Sequence, residues 1–279
     1  EGSSPSQVVI DVDVEEQPTG SLSFGANYNS QDGIGLIASF KEENFLGRGQ
    51  RLNFGLAYNE TSRNLSLEFQ EPALLDRDLS FGLSVNYKVT DNENARYDTD
   101  SLEIRPSLGF PVGENSRLSL RVFGASEQIT DVQSGVSSII VAEAAQGRRY
   151  YLGTGYTYSF DNRRSGLDPK NVFFFRFGQD LGLGEDTKFI RSTMSTGVET
   201  KVLNEDVTLS AIFEAGALTY AEGTSRVTDR FFSNTSLIRG FDNTGIGPRH
   251  INGSENDSLG GEFFAVARFE ARFPIGLPD

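Results

Sequence analysis

Arg239 is a cation set among bulky apolar residues, in Ile238-Arg239-Gly240-Phe241, near the middle of about forty turn-rich residues. From about Ala221 to Gly261 this stretch collects Gly223, Gly240, Gly245, Gly247, Pro248, Gly253, Gly260 and Gly261. Connections beyond roughly 12–15 residues are uncommon in compact domains, and those that occur are usually functional or disordered. A merely solvated loop has little use for an arginine flanked by isoleucine and phenylalanine. The pattern points to a segment folded back into a polar interior, where the charge needs a partner.

Other residues that could do chemistry are sparse. His250, next to Arg249, is the only histidine. Any Ser-His or Asp-His hydrolase would have to use it, and no Gly-x-Ser-x-Gly or comparable nucleophile context accompanies it. A loop-surface position accounts for it. Asp161, Asp168, Glu185 and Asp186 could gather around a cation, but their spacing lacks the order of an EF-hand, and solvated turns explain them better. With no cysteine in the chain, disulfides, thiolate metal sites and cysteine nucleophiles fall away. The expectation is a protein without enzymatic activity or cofactor.

Charge narrows the partners. The formal net charge is −14, with 25 Lys and Arg against 39 Asp and Glu. No dense basic run is present, so a nucleic-acid footprint is not expected. No run reaches the ~18–20 apolar residues of a membrane-spanning helix, and the mean hydropathy is −0.34. That test is blind to membrane barrels, whose strands need only about 9–11 residues and alternate lipid-facing with lumen-facing side chains. The opening Glu1-Gly-Ser-Ser-Pro-Ser-Gln7 is acidic and polar, unlike a signal peptide, and reads as lying inside a longer mature protein.

The elements that must position Arg239 are strands. In Gln7–Glu16, Val8, Ile10, Val12 and Val14 share one face, a strand closed by Gln17-Pro18-Thr19-Gly20. Its polar face is more acidic than those that follow, which assigns residues 1–19 to a separate module. From Ser21 the period-2 signal repeats: Leu22, Phe24, Ala26 and Tyr28 alternate with Ser23, Gly25 and Asn27, and Ile34, Leu36, Ala38 and Phe40 follow. Leu79, Phe81, Leu83, Val85 and Tyr87 stand against Ser80, Gly82, Ser84, Asn86 and Lys88. The last such segment sets Phe263, Ala265, Ala267, Phe269, Ala271 and Phe273 opposite Phe264, Val266, Arg268, Glu270 and Arg272. About twelve strands result, with a short helix expected over Ile139–Ala145.

Connections after even-numbered strands are mostly short, while three of those after odd-numbered strands are long, as in a membrane barrel. A soluble β-sandwich also alternates apolar-in with polar-out. Strands of ten or more residues and strand-end Phe and Tyr favour the bilayer. The expected fold is all-β, an antiparallel transmembrane β-barrel over residues 20–279 with the long loop inserted in its lumen.

Five segments carry a family resemblance: Val12-Asp-Val-Glu-Glu-Gln-Pro-Thr-Gly-Ser-Leu-Ser-Phe-Gly25, Asn44-Phe-Leu-Gly-Arg-Gly49, Phe69-Gln-Glu-Pro72, Ile238-Arg-Gly-Phe-Asp-Asn-Thr-Gly-Ile-Gly-Pro-Arg249 and Leu259-Gly-Gly261. In this order they resemble the BamA family of outer-membrane assembly factors. The resemblance implies a barrel of about sixteen strands in the bacterial outer membrane, preceded by periplasmic POTRA domains. Residues 1–19 would end the last of these. Pro274–Asp279 would be the turn after strand twelve, leaving about four strands outside the chain. Asp168-Pro169-Lys170-Asn171 departs from the Pro-Thr and Gly turn common in the family.

The resemblance also implies function. Such a barrel folds and inserts other β-barrel proteins through a labile seam at its first strand, here Ser21, Leu22, Ser23, Phe24 and Gly25. Its partners would be unfolded outer-membrane proteins, accessory assembly lipoproteins and the lipid bilayer. Arg239 would pair with Glu270 in the lumen, and Glu270 independently falls on the polar face of its strand. Arg268 and Arg272 share that face two residues away, so a charge ladder within the sheet is the competing arrangement. A passive porin or a two-partner secretion-type translocator is the alternative function.

Overall fold

Alternating apolar and small or polar side chains build strands that pair with their sequence neighbours in a computed structural model. It describes residues 13, 15–29, 33–59, 62–92, 97–165, 170–203, 206–241, 244–252 and 255–273. Most of the strand expected over Gln7–Glu16, the turn at 168–169 and the terminal 274–279 lie outside the described residues.

The strands are β1 (Gly20–Asn29), β2 (Gly33–Phe45), β3 (Gln50–Tyr58), β4 (Ser62–Glu71), β5 (Ser80–Asn92), β6 (Tyr97–Gly113) and β7 (Ser116–Thr130). The helix α1 (Ser138–Ala145) precedes β8 (Arg149–Asp161), β9 (Asn171–Gly184), β10 (Lys188–Val202) and β11 (Val207–Glu222). Two short strands, β12 (Arg249–Asn252) and β13 (Glu255–Ser258), come before β14 (Phe263–Arg272). Twelve strands form one antiparallel sheet in the order β1 through β11 and then β14, while β12 and β13 form a hairpin of their own.

This hairpin falls inside the long glycine-rich stretch, where no strand was expected. Arg249–Asn252 and Glu255–Ser258 carry few apolar residues, so period-2 hydrophobicity gives no signal there. Long connections are also fewer than the pattern implied. Strands β5 and β6 run to Asn92 and from Tyr97, absorbing polar residues that read as loop. Two connections after odd-numbered strands are long, residues 131–148 and 223–262.

Burial decides between barrel and sandwich. Residues on the apolar face are exposed: Phe24 is 76%, Leu152 70% and Phe269 82% accessible. Leu36, Leu56, Leu120 and Phe213 share that state. A sandwich would cover this face with a second sheet; here it is presented outward, as lipid requires. The small buried apolar cluster lies instead at the long-loop end. Tyr97, Ile129, Val136, Ile140 and Val227 form it, with Val132, Ala144, Phe232 and Leu259 packed against them.

Candidate functional site

The loop after β11 is rooted by charge before it reaches Arg239. The buried carboxylate of Asp229 accepts from Arg149, from Tyr220 Oη at 2.8 Å and from the Arg226 backbone N–H at 2.7 Å. Arg149 also reaches Glu127 at 3.3 Å. From α1, Glu143 accepts the Val227 N–H at 2.7 Å and the Arg230 guanidinium at 2.6 Å. Arg230 donates further to Ser225 Oγ at 2.9 Å and to the Leu259 carbonyl at 3.2 Å, binding the beginning of the loop to its end. Burial, with the neighbouring Arg149, lowers the pKa of the Arg226 guanidinium. Arg149 and Arg230 are enclosed and paired, the state the sequence pointed to for Arg239.

Arg239 itself is exposed. Its Nη2 lies 3.2 Å from Glu270 Oε1, with the arginine side chain 82% and the glutamate 31% accessible. Ile238 is half-buried and Phe241 exposed. Gly240 adopts φ +85° with open space where a Cβ would stand, so it serves the left-handed backbone rather than a close contact. Just before the motif, the Asn234 side chain accepts the Ser236 and Leu237 N–H groups at 3.0 and 2.9 Å. A cavity of about 430 Å³ separates Leu237, Ile238 and Arg239 from the β14 residues Ala265 to Glu270.

Arg268, a competitor for Glu270 in the sequence reading, turns out to hold the loop. Its guanidinium pairs with Glu214 on β11 and donates to the Ser236 carbonyl at 2.6 Å and the Leu237 carbonyl at 3.1 Å. Arg272 pairs with Glu199 on β10 at 3.1 Å. The charge ladder therefore exists, but it runs from β14 to acids on β10 and β11.

Ser21, Leu22, Ser23, Phe24 and Gly25 occupy β1, paired with Lys41 through Ile37 of β2. They lie at the opposite end of the strand order from Glu270.

His250 is not the surface residue its neighbours implied. It sits half-buried on β12, opposite Asp257. Its Nδ1 is 2.8 Å from Ser137 Oγ, and Asp257 Oδ2 accepts the Ser137 N–H at 2.6 Å. Ser137 is 2% exposed, and its hydroxyl oxygen accepts the Ile139 N–H at 3.2 Å as the N-cap of α1. This Ser-His-Asp grouping is a fastening between helix and hairpin. The available signal was the capping serine ahead of an apolar helical run; its distant partners left none. Among the described residues no group of three or more His, Cys, Asp or Glu is placed to hold a metal ion.

Residues 44–279 match the Omp85 superfamily domain. The chain belongs to the Omp85 superfamily. Among proteins similar to this Omp85 chain, the outer membrane protein assembly factor BamA of Neorickettsia risticii is 31% identical over 97% of the chain and 36% of that protein. The sorting and assembly machinery component 50 homolog of Homo sapiens is 26% identical over 86% of the chain and 50% of that protein. The chain thus spans between about a third and a half of the length of these two relatives. The crystal structure of BamA from Haemophilus ducreyi lacking POTRA domains 1–3 superposes with a TM-score of 0.77, at 19% identity, over 95% of the Omp85 chain and 55% of that structure. The fold is that of an antiparallel transmembrane barrel.

Proposed function

We propose that this chain supplies most of the barrel of an outer-membrane β-barrel assembly factor, which folds and inserts other barrel proteins. The observation that carries this reading is the outward apolar face of the sheet, in a chain related to assembly factors along nearly its whole length. Residues 1–19 are the end of a periplasmic POTRA domain, and 20–279 belong to the barrel. The protein resides in the outer membrane, receives unfolded outer-membrane proteins and works with accessory assembly lipoproteins. Residues Ser21 to Gly25 form the seam strand. A strand edge cannot stay unpaired in hydrocarbon, so a seam that exchanges partners admits an incoming strand by β-augmentation. Ile238 to Phe241, with Arg239 on Glu270, keep the long loop in register with the wall from the lumen side. The role is one of assembly rather than catalysis.

The test is reconstitution of the full-length parent in liposomes, followed by the folding rate of an unrelated barrel protein added unfolded. Faster folding than in protein-free liposomes is the expected result. An unchanged rate, or steady conductance of a permanent pore without acceleration, overturns the proposal. For the loop, charge reversal at Arg239 or Glu270 should slow assembly, and the double reversal should recover part of the loss; no recovery removes the pair from the mechanism.

A further inference from the structure

On the apolar face, four strands leave a trough. Register sets Ile104 of β6, Gly124 of β7, Leu152 of β8 and Leu183 of β9 in one row. Gly124 contributes no side chain to that row, and a groove of about 380 Å³ opens over it. One step toward the long-loop end, the row is Leu102, Ser126 and Tyr150. One step further it turns charged. Asp100 and Arg148 meet there, with Arg148 nitrogens 3.2 and 3.1 Å from the two carboxylate oxygens. Arg148 also lies 3.4 Å from Ser126 Oγ, a wall of the groove.

Tyr150 lines both the groove and a second cavity of about 560 Å³, polar in character, that includes Arg148, Glu185, Asp186, Thr187 and Arg226. Glu185 and Asp186 stand in the turn just past the end of β9, so the cavity adjoins the Leu183 end of the groove. Arg226 donates to the Gly147 carbonyl at 2.7 Å and, among the described residues, pairs with no carboxylate. Thr187 is 3% exposed, and its hydroxyl has no hydrogen-bond partner among the described residues.

An apolar trough on a lipid-facing wall, ending where both signs of charge line one cavity, matches the order of groups in a zwitterionic lipid. We propose that this is a site for one phospholipid with an ethanolamine headgroup, its acyl chain over Gly124, its phosphate at Arg148 and its ammonium toward Glu185 and Asp186. A primary ammonium donates hydrogen bonds to carboxylates, which a quaternary choline cannot do. A glycerol headgroup offers the acids only neutral hydroxyl donors, without the ammonium's charge.

The experiment is native mass spectrometry of the full-length parent in detergent, offered equal amounts of phosphatidylethanolamine, phosphatidylglycerol and phosphatidylcholine. One bound phosphatidylethanolamine is expected, favoured by about tenfold, the scale of a lost charge-assisted hydrogen bond. Gly124→Leu fills the trough; the Leu152 terminal methyl that its Cβ would meet at 3.2 Å can rotate aside. This variant and Arg148→Gln should each lower retention about tenfold, with an unchanged circular dichroism spectrum. Should Gly124→Leu fail to fold, the partly exposed Arg148→Gln decides. Equal retention of the three lipids, unchanged retention in the variants that fold, or displacement by inorganic phosphate alone overturns the site.

Discussion

Two arginines link residues 236–239 of the loop to β14, Arg239 from the loop and Arg268 from the strand, and their energetics differ. Arg239 meets Glu270 in water, where an ion pair contributes about 0–1 kcal/mol. Arg268 is largely enclosed and satisfies two backbone carbonyls of the loop as well as Glu214. Arg268→Ala is expected to destabilise the loop by about 2 kcal/mol or more, and Arg239→Ala by less than about 1 kcal/mol. Hydrogen exchange of the amides at 236–241 is the measurement, and a larger effect from Arg239 would reverse the assignment. Gly240→Ala meets no atom, so its cost is conformational, about 1 kcal/mol for a left-handed position. The same exchange experiment reads it. A role for Arg239 in assembly that exceeds its small stabilising energy would therefore have to come from geometry, by keeping the loop in register.

At the level of elements, α1, the root of the loop and the β12–β13 hairpin fold as one unit over the sheet end. Glu143 and Asp257 tie them, one to Val227 and Arg230, the other to Ser137. Removing Glu143 leaves Arg230 enclosed without its carboxylate, and Glu143→Ala is expected to cost about 3–5 kcal/mol. Ser137→Ala removes a cap worth about 1 kcal/mol. Amide exchange should rise together in 138–145 and 225–232 for the glutamate variant. For the serine variant the rise should appear in α1 and in the β12–β13 hairpin that His250 fastens to it, and not in 225–232. Independent exchange of the two segments in the glutamate variant would show that they are separate units.

For the whole molecule, the outward apolar face sets the solvent. Leu120→Arg, on the exposed face of β7, should destabilise the bilayer-inserted protein by about 2–4 kcal/mol. Ser119→Arg, one residue away on the polar face, should stay within about 1 kcal/mol. Urea unfolding from lipid vesicles distinguishes them, and equal effects would contradict the assignment of faces. A soluble sandwich predicts the opposite ordering of solubility, remaining monodisperse when detergent is withdrawn; aggregation is expected.

The alternation from Leu22 to Phe273, by itself, determined the strands of the twelve-stranded sheet and their faces, because each side chain's direction follows from a backbone period of two. Glu270 on the polar face was legible for the same reason, and the helix over Ile139–Ala145 from its short apolar run. Only the tertiary structure decided which arginine is enclosed. Arg239 carries the conspicuous apolar flanks, yet among the described residues Arg149 and Arg226 are the buried arginines and Arg230 is largely enclosed, since burial depends on what α1 and the β12–β13 hairpin bring over them. His250, Ser137 and Asp257 are more than a hundred residues apart at their extremes, and no period links them. Strand length and strand-end Phe and Tyr already favoured a barrel over a sandwich, and the exposed apolar face of the folded sheet agrees. Alternation says that two faces differ; whether the apolar one meets another sheet or a membrane depends on what the folded chain leaves uncovered.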